Sequence, residues 1–135
     1  MSDTLSHPPI AEMLERMYAE SDANDPAILA RISTEADANY GGQRYVPELA
    51  PLFDTAFLPV PPEVGQFLYV LMRTHRPKTV LEIGTSFGVS AIHIAAALKD
   101  NGTGRLISAE ASAMKVNGAR ANRSEEHTSE LQSRF

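Results

Sequence analysis

Apolar and polar residues follow one another in patterns that predict a small set of helices and strands. The clearest stretch runs from Thr79 to Leu98, where a short β-branched run ending at Ile83 is followed by Gly84 and then by small residues with helical spacing. This order predicts strand, tight turn and helix. A second apolar run, Arg105 to Ala109, follows a turn rich in glycine and predicts the next strand. The fold class predicted is therefore α/β.

The N-terminal part predicts helices that pack rather than react. Apolar side chains recur at helical spacing between Ile10 and Tyr18 and give a first helix one apolar face. Asp25 before Pro26 is typical of an N-cap with proline at the first helical position, so a second helix is predicted to start there. The expected role of both helices is to cover a sheet face or a partner subunit.

Prolines predict a loop from Tyr45 to Pro62, with a short turn at Leu49 to Phe53, and this loop is a candidate hinge or lid. A strong helix is predicted from Pro62 to about Thr74. Its predicted apolar face consists of Val64, Phe67, Leu68 and Leu71. A further amphipathic helix is predicted after Glu110, ending near Asn122.

The composition narrows the class of protein. A chain of 135 residues that is 43% hydrophobic and 21% charged fits one globular domain at most. The sequence has no bilayer-spanning apolar run and no signal pattern, so no membrane partner is expected and the cytoplasm is the expected location. The absence of cysteine excludes disulfides and thiolate metal sites. A net charge of -5 without a basic stripe argues against nucleic acid as the partner.

The turn after the first strand predicts a ligand site. Gly84 permits unusual backbone angles, and Gly88 lets a ligand or the neighbouring strand approach the main chain where the helix begins with unpaired N–H groups. The spacing is not that of the G-x-G-x-x-G dinucleotide fingerprint, and no phosphate-loop lysine follows. The acid Glu82 would repel a pyrophosphate but favour an ammonium group or a hydroxyl donor. A second acid, Glu110, ends the next strand, where it can accept hydrogen bonds from both ribose hydroxyls.

Glu82, Gly84, Gly88 and Ser90 resemble the E-x-G-x-x-x-G-x-S motif of the class I S-adenosylmethionine-dependent methyltransferases, particularly O-methyltransferases of the catechol and caffeoyl-CoA type. The resemblance implies the N-terminal part of a Rossmann-like fold, with its first two parallel strands and their helices, preceded by N-terminal helices. It implies S-adenosylmethionine as the cofactor, with Glu110 on the ribose and Glu82 near the amino group. The implied cofactor-binding residues are Val60, Glu82, Gly84, Thr85, Ser86, Gly88, Ser90 and Glu110.

Histidines and aromatic residues near this motif give weaker signals. His93 is expected to be a packed residue of the helix rather than a base or ligand, because no second group lies at a catalytic or metal spacing. Phe87 is either a core residue or a cofactor-facing one. No metal ligands are predicted in this chain, although metal-dependent members of the family bind a divalent cation.

Three segments are predicted: a helical extension with a proline-rich loop (1–58), a truncated cofactor-binding domain (59–122) and a polar tail (123–135). The tail resembles a translated sequencing adapter and is expected to be non-native and disordered. The catalytic residues are expected in a missing C-terminal half, so this chain is expected to be inactive.

The resemblance implies that the parent protein transfers a methyl group to a hydroxyl of a small molecule, and that its N-terminal helices are candidates for homodimer contacts. A nicotinamide-dependent oxidoreductase fragment is one alternative, disfavoured by the missing middle glycine. A non-enzymatic fragment whose helices pack on a partner is the other.

Overall fold

The computed structural model describes residues 3–124 and 133–134. The α-helices of the described residues are α1 (Pro8–Asn39), α2 (Pro62–His75), α3 (Val89–Asn101) and α4 (Ala113–Ser124). The strands of that part are β1 (Thr79–Ile83), β2 (Arg105–Ala109) and β3 (Ser133–Arg134). Short 3₁₀ helices cover Thr4–Ser6 and Pro47–Phe53, and the second of them contains the turn predicted in the proline-rich loop.

The sheet has the strand order β1-β2-β3 and is parallel, which confirms the α/β class. β1 and β2 pair over their full length, with Glu82 opposite Ser108 and Ile83 opposite Ala109. Both strands therefore end at the same edge, where α3 and α4 begin.

The third strand was not predicted. Ser133 and Arg134 pair in parallel with Leu106 and Ile107 of β2, so the structure differs there from the expected disordered tail. Backbone pairing is open to any non-proline sequence, which explains why a polar tail without an apolar pattern can supply it. Residues 125–132 and 135 lie outside the described residues, and for them disorder stays a prediction.

α3 lies at the centre of the domain and is buried on nearly all sides. One side packs Ala91, Ile94 and Leu98 against Leu106 of β2 and against α2. The other side packs against the methionine-rich face of α1, which includes Met17. The small residues along α3 allow this close approach from two directions.

The prediction of two N-terminal helices is wrong, because α1 runs without a break from Pro8 to Asn39 and contains Pro26 in its interior. A proline inside a helix removes one hydrogen bond and costs roughly 3 kcal/mol. Burial of apolar residues on both sides of it offsets that cost: Met17 precedes Pro26 on the buried face, and Ile32 follows on the same face. Asp25 is therefore a buried residue of a continuous helix, not an N-cap.

α2 has the predicted bounds but not entirely the predicted face. Gly65 is buried, and Leu68 and Met72 pack against α3, whereas Val64 and Phe67 are 38% and 62% exposed. The reason is the approach to α3: a Cβ on Gly65 would lie 2.6 Å from the His93 ring, so the helices meet at a glycine. A hydrophobicity pattern cannot identify a face whose centre carries no side chain.

One face of β1 is exposed. Leu81 and Ile83 are 65% and 83% exposed, while Val80 on the opposite face packs towards α3. In the described sheet β1 pairs only with β2 and forms an edge. None of the helices in the described part combines the length and the hydropathy that a membrane crossing requires.

Candidate cofactor site

The site is built around the turn that joins β1 to α3. Gly84 and Gly88 have φ angles of 85° and 100°, and Ser86 between them has a φ of 49°. A Cβ on Gly84 would meet no atom within 4 Å, so the space beside this residue is open. Glycine is favoured there by the positive φ angle. A Cβ on Gly88 would make an ordinary 3.5 Å contact with Ala119, so among the protein's own atoms it is the backbone angle, not a close neighbour, that requires glycine there.

Glu82 is held by three hydroxyl groups. Thr85 donates to one carboxylate oxygen at 3.0 Å and Ser108 of β2 donates to the same oxygen at 2.7 Å. Ser90 in the first turn of α3 donates to the other oxygen. A carboxylate has about four acceptor positions, so most of those on Glu82 are occupied by the protein itself. The structure thus makes Glu82 the anchor that orients Ser90 and Thr85.

Glu110 is held by backbone amides instead. Its two carboxylate oxygens accept hydrogen bonds from the N–H of Ser86 at 2.7 Å and of Ser112 at 3.0 Å. Burial alone would raise the pKa of Glu110, but the N–H groups of Ser112, Ser86 and Ala111, with the nearby Lys115 ammonium, together lower it below its ordinary value. Glu110 is therefore a carboxylate at neutral pH, with acceptor capacity left for a further donor.

A small cavity of about 60 Å³ lies against the turn. The predicted residues that line it are Val60, Gly84, Thr85, Ser86 and Ser90. Glu82, Gly88 and Glu110 lie outside its lining, although Glu82 and Glu110 hydrogen-bond to residues that line it. The structure thus brings the predicted residues together at the carboxyl ends of β1 and β2. Their individual roles stay predictions.

The opposite wall of the cavity contains residues that the sequence did not suggest. Phe57, Leu58 and Pro59 line the cavity beside Val60, and Phe57 stacks on Phe87 with ring centroids 4.4 Å apart. Phe87 is thus both a packed and a cavity-lining residue. In the sequence, only the proline-rich character of the loop pointed to this wall. The residues that Phe57 contacts, Ser86 and Phe87, lie about 30 residues further along the chain, so no local pattern indicates the contact.

His93 has a structural role beside the site. The prediction that His93 is a packed residue is confirmed: the residue is 2% exposed, and Nδ1 lies 2.8 Å from the carbonyl oxygen of Val89. Burial lowers the pKa of His93, although the contact with the Val89 carbonyl opposes that shift. In the described part of the chain, no three His, Asp or Glu side chains lie close enough to hold a metal ion.

Comparison with known proteins agrees with this geometry. Residues 81–135 match a family model described as a methyltransferase domain. Among solved structures, the O-methyltransferase from Bacillus cereus in complex with SAH is similar, with a TM-score of 0.50 and 28% sequence identity. That match covers 78% of this chain and 49% of the other, so the chain spans about half the length of the matched protein. The comparison with curated protein sequences gives no match.

The fold and these two matches make the chain similar to methyltransferases. In its fold, the chain is similar to the N-terminal part of an O-methyltransferase.

Proposed function

We propose that the chain binds S-adenosylmethionine at the carboxyl ends of β1 and β2, and that the complete protein transfers its methyl group to a hydroxyl of a small molecule. The observation that supports this most is the pair of acids on neighbouring strands. Glu82 and Glu110 end adjacent parallel strands and hydrogen-bond to the same glycine turn.

The polar groups of the site fit the parts of that cofactor. Glu110 is ionised, is fixed by backbone amides and retains acceptor capacity, which suits a ribose hydroxyl. The Ser90 hydroxyl donates to Glu82, so its own oxygen is left to accept, which suits an ammonium group. The role proposed for Glu82 is therefore indirect, through Ser90 and Thr85.

The same contacts argue against a dinucleotide. In a phosphate site the amides at the start of the helix remain open for the anion. Here the Ser86 amide in the turn is already bound to a carboxylate of the protein, and that negative charge would repel a pyrophosphate. The nicotinamide alternative is thus disfavoured by the geometry as well as by the glycine spacing.

When bound, S-adenosylmethionine would supply an electrophilic methyl group on a sulfonium. The residues of this chain would bind and orient it and exclude water from one side, through the turn and the Phe57–Val60 wall. Among the described residues, we assign no group to removing the proton of an acceptor hydroxyl. We therefore expect this chain to bind the cofactor but not to catalyse transfer by itself.

Isothermal titration calorimetry with S-adenosylhomocysteine (SAH), S-adenosylmethionine and NAD⁺ tests the proposal. We expect saturable, one-to-one binding of the first two and none of NAD⁺. Binding of NAD⁺ without SAH would support an oxidoreductase fragment. A chain that is folded by circular dichroism and binds none of the three would contradict the proposal and favour a packing fragment.

A further inference from the structure

Asp25 is an acid buried in the middle of α1, with only 6% of its surface exposed. Its carboxylate accepts three hydrogen bonds, each 2.8 Å long: one from the Ser21 hydroxyl one helical turn earlier, and two from the backbone amides of Phe57 and Leu58. A buried carboxylate is costly unless such donors surround it. Asp25 thus joins α1 to one short piece of the proline-rich loop.

The two amides point to one carboxylate because the backbone folds back at this place. Leu58 has a φ of 45°, in the left-handed region that residues with a side chain rarely adopt. Successive N–H groups that converge in such a turn form an anion-binding concavity, and here the anion is a side chain of the protein. The hydrogen bonds to Asp25 therefore hold Leu58 in a conformation that the loop alone would not favour.

This piece of loop is also the cavity wall. The Phe57 carbonyl accepts a hydrogen bond from the Ser86 hydroxyl in the glycine turn, and the Phe57 ring stacks on Phe87. At the far end of the wall, Tyr18 of α1 donates a hydrogen bond to the Val60 carbonyl at 3.0 Å. α1 thus holds the wall at both ends, and the wall contacts the turn directly.

We propose that Asp25 is a positioning residue for the cofactor. By fixing the Phe57 and Leu58 amides it sets the distance between the wall and the Ser86 turn, and so keeps the cavity shaped before the cofactor arrives. The inference rests on the proposed function for the identity of the ligand, but the hydrogen bonds between Asp25 and the Phe57 and Leu58 amides are a property of α1 and the loop. It gives a specific role to an N-terminal helix for which the sequence predicts only packing.

Asp25→Asn is the main test, because it keeps the shape of the side chain but leaves one oxygen to accept hydrogen bonds instead of two. Asp54→Asn is the matched control. The Asp25 and Asp54 carboxylates both raise the pKa of the buried Lys115 ammonium against the dominant lowering effect of its burial, so both variants remove one charge from the same neighbourhood. Only Asp25 hydrogen-bonds to the wall amides.

SAH binding by calorimetry and the amide and aromatic proton NMR spectrum are measured for each variant. We expect Asp25→Asn to weaken SAH binding about tenfold and Asp54→Asn to change it less than about twofold. In Asp25→Asn the Phe57 and Leu58 amide signals should move upfield, and the ring-current shifts of the Phe57–Phe87 stack should diminish. A role in overall stability alone would leave these signals unchanged in the folded fraction.

A folded Asp25→Asn chain that binds SAH within about twofold of the wild type would overturn the inference and leave the proposed function intact. If the wild type itself does not bind SAH, the proposed function fails, and the NMR signals still decide whether Asp25 fixes the Phe57 and Leu58 amides. If Asp25→Asn does not fold, Ser21→Ala replaces it, because it removes a hydrogen bond that orients the carboxylate without touching the wall. About threefold weaker binding is then expected, and unchanged binding would refute the role.

Discussion

Glu110 and Glu82 accept different kinds of donor, and this difference predicts how each tolerates conversion to glutamine. In Glu110→Gln one of the two backbone amides, that of Ser86 or Ser112, would face the new NH₂ group, and a backbone N–H cannot become an acceptor. In Glu82→Gln the new NH₂ would face hydroxyls that can turn and accept instead.

The expected magnitudes follow from these partners. A hydrogen bond to a charged group contributes about 1.5–3 kcal/mol, and since Glu110 is partly exposed we expect Glu110→Gln to lower the free energy of unfolding by about 1.5 kcal/mol. For Glu82→Gln we expect a loss of about 0.5 kcal/mol. Glu110→Gln should also weaken SAH binding by roughly tenfold or more, because the proposed ribose acceptors lose their charge.

Urea unfolding followed by circular dichroism, with and without SAH, measures both quantities. The folded-state pKa of Glu110 is lowered, so its stabilising effect is present above its ordinary value of 4.5 and is lost as the pH falls through the folded value. The difference between the wild type and Glu110→Gln should therefore shrink in acid. Equal losses in the two variants, or unchanged SAH binding in Glu110→Gln, would refute the reasoning.

Three further predictions concern the helices around the site. Gly65→Ala should destabilise the protein by about 1–3 kcal/mol in thermal unfolding, because the new Cβ would lie 2.6 Å from the His93 ring; a gain in stability, as expected from helix propensity alone, would contradict this packing. His93 has a lowered pKa, so stability should fall as the pH decreases below 6.5, by at most about 1.4 kcal/mol per pH unit, and His93→Gln should show a flatter profile between pH ~7 and ~5. Asp100→Asn should cost about 2–3 kcal/mol in urea unfolding, since the buried carboxylate accepts hydrogen bonds from Thr4 and from Tyr69; an unchanged midpoint would show that these contacts do not form.

The parts of the fold with strong local signals were predictable from the sequence. β1, the Gly84–Gly88 turn and the bounds of α2 each follow from a nearby pattern: a β-branched run, glycines with positive φ, and a proline at the first helical position. The placement of Glu110 also followed, because parallel neighbouring strands end at the same edge of a sheet.

The parts that depend on tertiary contacts were not predictable. Asp25 and Pro26 have the local signature of a helix start, but the amides of the distant loop and the buried face of α1 outweigh it. On α2, the contact of Gly65 with His93 likewise turns Val64 and Phe67, which were predicted to be buried, towards the exposed side. In each case a partner far away in the sequence decided the outcome, and no pattern within one helix carries that information.

The exposed face of β1 has a practical consequence for every measurement described above. Covering Leu81 and Ile83, which are 65% and 83% exposed, would contribute about 3 kcal/mol in total. Strands with free backbone groups and aliphatic side chains join readily to one another in concentrated solution. We therefore expect the protein concentration to determine whether single chains or aggregates are titrated. Sedimentation velocity over a concentration series should precede the first calorimetric experiment.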